Sequence, residues 1–163
     1  MFDSETLALA EAVLAACRSR GWRIATAESC TGGLIAAALT AVAGASDVVE
    51  RGFVTYSNRA KQDLLGVPAE TIAAHGAIST ETCRAMAAGA AVRAGVELAA
   101  AVTGLAGPGG GTPQKPVGLV YIGIATKGGA AHVERCTFSG DRGAVRRAAL
   151  IRALELLRAE AAG

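Results

Sequence analysis

The sequence predicts an α/β fold, in which helices cover both faces of a mixed, mostly parallel sheet in a three-layer α/β/α sandwich. Short apolar or β-branched segments alternate along the chain with longer segments whose apolar residues recur every three to four positions, which is typical of βαβ units. Residues 117–126 are nearly all apolar, as in a strand covered on both faces. Lys127-Gly-Gly-Ala then predicts a hairpin turn, and the antiparallel strand after it makes the sheet mixed.

The first half of the chain begins with a helix over residues 4–19, in which Ser4 can cap the N-terminus and apolar residues share one face. Gly21 ends this helix. The next elements are predicted, in order, as a strand at 23–27, a helix that follows residues 28–33 and runs to about Val42, a strand at 48–56, one or two helical turns at 58–65, and a short helix that Pro68 opens and that ends before His75.

The second half is predicted to contain a helix capped by Thr80 and running to about Ala94, a buried strand at 98–103, a Gly- and Pro-rich loop at 104–116, the two hairpin strands at 117–126 and 132–139, and a last helix. Asp141 caps the last helix, whose residues Leu150, Leu154, Leu157 and Ala161 share one face.

Composition limits the class of protein. The chain has 163 residues, so we expect a single domain over residues 1–163. Hydrophobic residues make up 52% and charged residues 18% of the chain, and the mean hydropathy is +0.38. The charge-free stretches are too short or too broken by Gly and Pro for the roughly 18–20 apolar residues of a membrane span. We therefore assign the apolar surplus to buried strands and to a homo-oligomer interface, most simply a homodimer.

Charge and cysteine usage exclude further classes. The formal net charge is +2, no dense Lys/Arg run occurs, and only three Phe, two Tyr and one Trp are present, so we expect no nucleic-acid partner. The four cysteines are isolated, and neither CxxC nor HExxH spacing occurs, so we expect no metal site. The acidic, polar first residues are unlike a signal peptide, and we expect a reduced cytoplasmic chain.

The first candidate site is Glu28-Ser-Cys-Thr-Gly-Gly33, where a strand is expected to stop and a helix to start at once. Unpaired N–H groups at a helix N-terminus can hold a phosphate or stabilise an oxyanion, and Gly32 and Gly33 let a ligand approach the backbone. Ser29 is a candidate nucleophile. The alternatives are that Ser29 or Thr31 only caps the helix, and that Cys30 is either a rival nucleophile or a small core residue.

The second candidate site is Tyr56-Ser-Asn-Arg-Ala-Lys61, which follows the next strand. A hydroxyl nucleophile needs a base, and a lysine in a partly dry pocket can serve because desolvation disfavours its charged form. Tyr56 and Lys61 leave the same strand end and can face one site. The alternative is a surface lysine with a tyrosine packed at the rim of the sheet.

The third candidate site is the Gly-rich loop, residues 104–116, which follows Thr103. Its amides can cradle an anionic group, although the loop fits neither the Walker A nor the GxGxxG pattern. A flexible connector is the alternative. Arg142 and Arg146 lie one turn apart at the start of the last helix, where cations oppose the helix dipole. An anion between them would explain this placement, and a solvated basic turn is the alternative.

The segments together resemble the CinA C-terminal-domain family. The resemblance rests on motifs in a fixed order over about residues 5–160. These motifs are Ala27-Glu-Ser-Cys-Thr-Gly-Gly33, Gly52-Phe-Val-Thr-Tyr-Ser-Asn58 with Lys61, Gly66-Val, His75-Gly-Ala-Ile-Ser79, Thr103-Gly-x-Ala-Gly-Pro108 with Gly110-Gly111, Lys115-Pro-Val-Gly118, and Phe138-Ser-Gly-Asp-Arg142 with Val145-Arg146. Larger members carry an additional N-terminal domain, and at this length we expect the stand-alone form.

The resemblance implies an amidohydrolase that deamidates nicotinamide mononucleotide to nicotinate mononucleotide and ammonia, in pyridine-nucleotide recycling, with no cofactor. It implies Ser29 as nucleophile, Lys61 as base and Tyr56 as an assisting residue. The residues expected to bind the substrate are Cys30, Thr31, Gly32, Gly33, Thr103, Gly104, Ala106, Gly107, Gly110, Arg142 and Arg146. The alternatives are a non-catalytic nucleotide-binding or regulatory module that uses the same loops, and a scaffold protein.

Overall fold

A computed structural model describes residues 1–163, with six α-helices and five strands. The helices are α1 (Ser4–Ser19), α2 (Leu34–Thr40), α3 (Asn58–Leu65), α4 (Ala69–His75), α5 (Thr80–Ala94) and α6 (Arg142–Ala162). The strands are β1 (Ile24–Glu28), β2 (Val49–Val54), β3 (Leu98–Gly104), β4 (Leu119–Thr126) and β5 (His132–Thr137), and a short 3₁₀ helix spans Ala45–Asp47. None of the helices is both long enough and apolar enough to cross a membrane.

The five strands form one mixed sheet in the order β2-β1-β3-β4-β5. Strand β1 pairs in parallel with β2 and with β3, whereas β4 is antiparallel to both β3 and β5. The three parallel strands occupy one side of the sheet, and the predicted hairpin supplies the antiparallel pair. The predicted fold class is confirmed.

Helices cover both faces of the sheet because the central strands are apolar on both faces. Leu98, Ala100 and Val102 of β3 point into a core of 25 buried residues that β3 shares with α1, α2 and α6. Ala99 and Ala101 point to the opposite face, into a second core of 12 buried residues built mainly with α5. These small side chains let the helix lie close to the sheet.

Some predicted boundaries are wrong by a few residues. Helix α1 is capped by Asp3, whose carboxylate accepts from Thr6 N–H at 2.9 Å, and not by Ser4. Likewise Ser79, not Thr80, caps α5. Strand β4 starts at Leu119, because Gly118, at φ +94°, lies in a turn in which it donates to Leu105. Helix α2 begins at Leu34, directly after residues 28–33 as predicted, but it ends at Thr40 and not at about Val42.

The parallel strands end at one edge of the sheet. Glu28, the last residue of β1, pairs with Val54 of β2 and with Val102 of β3. The segments that follow these three strands therefore converge there, at the place where α/β sheets usually bind ligands.

Candidate active site

A cavity of about 220 Å³ opens at this edge of the sheet. It is bounded by the segments after β1, β2 and β3, by the residues between α4 and α5, and by the start of α6. The lining residues are Ser29, Cys30, Tyr56, Lys61, Ala77, Ile78, Thr103, Gly104, Leu105, Ala106, Gly107, Gly109 and Arg142. All three segments singled out in the sequence thus contribute to one cavity.

Ser29 and Lys61 are in contact at the base of this cavity. Lys61 Nζ lies 3.0 Å from Ser29 Oγ, 2.8 Å from the Thr55 carbonyl and 3.4 Å from the Tyr56 carbonyl. The side chain comes from α3, whose N-terminus is capped by Ser57. Lys61 is only 1% exposed and is the largest fully buried side chain in the protein. The alternative of a surface lysine is therefore wrong.

The surroundings of Lys61 favour the neutral amine. Its three hydrogen-bond partners are all uncharged. Burial lowers the pKa of Lys61 below its ordinary value, because the ammonium loses its hydration. A neutral amine can donate its two hydrogens to the two carbonyls and direct its lone pair at the hydroxyl of Ser29. The geometry suits proton transfer from Ser29 to Lys61.

The segment after β1 differs from its prediction. Residues 29–33, which we call the Ser29 turn, precede α2, so Ser29 does not stand at the helix N-terminus. The first amides of the helix are also occupied: the Glu28 carboxylate accepts from Gly33 and Ile35 N–H, both at 3.1 Å, and from Ala36 N–H at 2.9 Å. The expected anion site at this helix N-terminus is thus filled by a side chain of the protein itself.

Cys30 is buried beside Ser29, and its thiol stays protonated near neutral pH. Burial raises the pKa of Cys30 to about 11, and the nearby Glu28 carboxylate adds to the increase. A protonated thiol is a poor nucleophile. The N–H of Cys30 has no backbone acceptor, which leaves it available to a ligand in the cavity.

Tyr56 lies at the rim of the cavity, and its side chain is 62% exposed. Its hydroxyl is 3.1 Å from Arg142 Nη2, while its backbone carbonyl is the part that faces Lys61. Arg142 also donates to the Gly107 carbonyl at 2.9 Å. Tyr56 and Arg142 thus connect the segment after β2 to the Gly-rich loop across the mouth of the cavity.

The end of β3 and the Gly-rich loop form the opposite wall. Thr103 is buried, and its hydroxyl donates to the Ala77 carbonyl at 2.8 Å. The N–H groups of Ala106 and Gly107 have no backbone acceptor. Gly104 also lines the wall, whereas Gly110 does not.

The arginines at the start of α6 have different partners in the protein. Arg142 reaches the cavity, but Arg146 turns away from it, donating to the carbonyls of Cys30 at 3.1 Å and Thr31 at 3.0 Å. Arg147 pairs with the Asp3 carboxylate. The two guanidiniums are thus directed to different protein groups, and their joint role in holding an anion stays a prediction. Thr31, Gly32 and Gly33 also lie outside the cavity wall.

Sequence reasoning missed two parts of the site. Glu28 was singled out only as part of a motif, although a carboxylate four residues before a Gly-Gly pair that opens a helix was a usable sign of capping. Ala77 and Ile78 lie in the His75–Ser79 motif, but nothing in their residue types points to a ligand.

Comparison with known proteins identifies relatives from a single family. The model of the CinA C-terminal domain family matches residues 6–161. The nicotinamide-nucleotide amidohydrolase PncC of Escherichia coli K12 is 49% identical over 157 residues, which cover 96% of this chain and 95% of that protein. A CinA-like protein of Citrifermentans bemidjiense is 55% identical over 86% of this chain. This chain spans about a third of the length of such CinA-like relatives.

Solved structures with the same fold belong to similarly described proteins. The competence/damage inducible protein CihA of Agrobacterium tumefaciens has a TM-score of 0.95 and 46% identity, over 98% of this chain and 97% of that chain. A CinA superfamily protein of Klebsiella pneumoniae has a TM-score of 0.92 and 40% identity, over 96% of this chain and 98% of that chain.

Proposed function

The chain belongs to the CinA C-terminal domain family, and from this membership and the site geometry we propose that it is a nicotinamide-nucleotide amidohydrolase. The proposed reaction is the hydrolysis of nicotinamide mononucleotide to nicotinate mononucleotide and ammonia. The observation that carries the proposal is the 3.0 Å contact between Ser29 Oγ and the buried amine of Lys61. A relative that carries this activity in its name aligns over nearly the whole of both chains.

In the first half of the proposed reaction, neutral Lys61 takes the proton of Ser29 as Oγ attacks the carboxamide carbon of the substrate. The carbonyl π bond opens and its oxygen becomes an oxyanion. The N–H groups of Cys30, Ala106 and Gly107, which have no backbone acceptors, are the candidate donors to that oxyanion. One such donor contributes about 3–4 kcal/mol to transition-state stabilisation.

The ammonium of Lys61 then protonates the amide nitrogen as the C–N bond breaks. Ammonia leaves, and an ester between Ser29 and the nicotinoyl group remains. In the second half, a water molecule attacks the ester and gives its proton to Lys61. Lys61 returns this proton to Ser29 Oγ as the ester bond breaks, and the acid leaves. One water is consumed for each ammonia released, and the enzyme regains its starting protonation state.

The proposed substrate orientation places the carboxamide at Ser29 and the phosphate at the mouth. Arg142 supports this orientation because its guanidinium lies at the rim and forms no salt bridge, its partners being a carbonyl and a hydroxyl. An arginine fork suits a phosphate group. The proposed role of Tyr56 is to orient Arg142 at the rim, because its hydroxyl contacts that side chain.

The proposal is tested by following ammonia release from nicotinamide mononucleotide. The wild-type protein should release ammonia, and Ser29→Ala should lower kcat at least about 1,000-fold because the nucleophile is lost. The matched variant Cys30→Ala, one residue away, should retain most of the rate. Full activity of Ser29→Ala with loss in Cys30→Ala would make the thiol the nucleophile. If the wild-type protein binds nicotinamide mononucleotide but leaves it intact over hours, the protein is a nucleotide-binding module and not an amidohydrolase.

A further inference from the structure

The Ser29 turn is held by two charged side chains that do not face the cavity. Its last residues, Gly32 and Gly33, have φ angles of +61° and +102°. Glycines have no side chains to pack, and they lose more backbone entropy on ordering than other residues do. Two backbone hydrogen bonds help to fix the turn, from Ser29 N–H to the Val102 carbonyl of β3 at 2.9 Å and from Gly32 N–H to the Ser29 carbonyl at 3.0 Å. The remaining polar contacts of the turn come from side chains.

Glu28 holds the end of the turn through hydrogen bonds to backbone N–H groups. Its carboxylate is 1% exposed and accepts three N–H bonds, from Gly33, Ile35 and Ala36. A buried carboxylate is costly unless its oxygens are hydrogen-bonded. These contacts anchor the turn to the first residues of α2, where a negative charge also complements the helix dipole.

Arg146 holds the middle of the turn from the side of α6. Its Nε donates to the Cys30 carbonyl at 3.1 Å and its Nη2 donates to the Thr31 carbonyl at 3.0 Å. The guanidinium forms both bonds with its planar fork, a geometry that a lysine ammonium cannot reproduce. The Glu28 carboxylate thus accepts hydrogen bonds from N–H groups at one end of the turn, and the Arg146 guanidinium donates hydrogen bonds to the carbonyls next to Ser29.

We infer that Glu28 and Arg146 are positioning residues, which together hold Ser29 Oγ at hydrogen-bond distance from Lys61 Nζ and direct the N–H of Cys30 at the cavity. This inference rests on the proposed amidohydrolase function. In this role Arg146 acts through the turn and not as a ligand of the substrate phosphate. The nucleophile and the base lie on different elements, so a small displacement of the turn would separate them.

The test uses Glu28→Gln and Arg146→Lys with nicotinamide mononucleotide as the probe. Glutamine has one acceptor oxygen and places an NH₂ group against a backbone N–H, and lysine loses the fork. Each variant should lower kcat about 10- to 100-fold, as expected when reacting groups are misplaced by about 1 Å, while KM changes less than about threefold. Val13→Ala, a core truncation in α1 away from the cavity, is the control for lost stability and should retain kcat.

A second measurement does not depend on activity. Amide hydrogen exchange at Gly32 and Gly33, whose N–H groups are hydrogen-bonded, should become faster in both variants but not in Val13→Ala, when all are measured at temperatures well below their unfolding midpoints. Should Glu28→Gln fail to fold, Arg146→Lys still provides both readouts. The two readouts also separate this inference from the proposed function. If the wild type does not hydrolyse the mononucleotide but amide exchange in the variants becomes faster, the proposed function is wrong, while Glu28 and Arg146 still hold the turn.

Two results would overturn the inference. The first is unchanged exchange in the turn together with unchanged kcat. The second is specific to Arg146: a raised KM for the mononucleotide, with kcat unchanged and no change in KM for the riboside that lacks the phosphate, would make Arg146 a phosphate ligand.

Discussion

At the scale of the residue, Lys61 decides whether the proposed chemistry can occur. A hydrated lysine is protonated at neutral pH and cannot accept a proton. Lys61 is almost completely buried among uncharged partners, and this burial lowers its pKa. The same burial that is unfavourable for the ammonium is therefore what makes the side chain a usable base.

The pH dependence of the reaction follows from this lowered pKa. Because the neutral amine is the active form, kcat/KM should rise with pH and reach a plateau. The apparent pKa at the midpoint of this rise should lie below the ordinary 10.5. The measurement is ammonia release from the mononucleotide at low substrate concentration across pH 6–10. Lys61→Arg is the matched variant, and it should be inactive at every pH because a guanidinium is not deprotonated in this range. A rate that falls as pH rises would contradict the role of Lys61 as base.

At the scale of the element, the sequence predicted the helices and strands better than their contacts. Helices α1 and α3 were predicted with their observed bounds because their own apolar spacing and turn residues define them. The start of α2 after Gly33 was also predicted, but the capping of its first amides by Glu28 from the preceding strand was not. The direction of Arg146 depends on how α6 packs against the Ser29 turn, which no local pattern records.

The contact between Ser29 and Lys61 was predictable only in part from the sequence. Ser29 and Lys61 were both singled out, but they are 32 positions apart in the chain. Only the parallel pairing of β1 with β2 places their segments at one edge of the sheet. Residue type and position after a strand predicted which residues matter, and the strand register determines that they touch.

The packing of α3 against α5 offers a prediction at this scale. A Cβ on Gly89 of α5 would lie 2.1 Å from the Leu65 carbonyl at the end of α3. Alanine would improve helix propensity by up to about 1 kcal/mol, but the clash involves backbone that cannot rotate away and costs typically about 1–3 kcal/mol. Gly89→Ala should therefore lower the free energy of unfolding, and it should also lower kcat because α3 carries Lys61.

Urea unfolding and ammonia release measure both effects. The control is Ala88→Ser, at the neighbouring exposed position, which should leave both quantities nearly unchanged. If Gly89→Ala is more stable than wild type and fully active, then the close packing of α3 against α5 at Gly89 is not required for stability or for the position of Lys61.

At the scale of the whole molecule, the homodimer expected from composition stays a prediction. Val54, Tyr56, Leu64 and Val92 are large apolar or aromatic side chains that are about half exposed or more. Light scattering at micromolar concentration should give twice the 16.2 kDa mass of the chain. A single monomeric peak would remove the prediction. Val92→Lys and Val54→Lys, tested separately, show which surface is used, because a charge at the interface disfavours association.

Global stability should carry the signature of the buried amine. The folded protein holds Lys61 with a lowered pKa, whereas the unfolded chain keeps the ordinary value near 10.5. Between these two values the unfolded state binds one proton more than the folded state, so the free energy of unfolding rises with pH, by at most about 1.4 kcal/mol per pH unit. Below the lowered pKa both states are protonated, and the cost of the buried charge is present in full.

Lys61→Met lacks this titration, so the stability of the wild type relative to this variant should increase as pH rises toward 10.5. Urea unfolding of both proteins at several values between pH 6 and pH 10 measures the difference, in which the other titrating groups cancel. Lys127→Met is the control, since the Lys127 side chain is 70% exposed and remains hydrated in both states. Parallel pH curves for the wild type and Lys61→Met would mean that the amine is as basic in the fold as in water, and a serine beside it would then have no base.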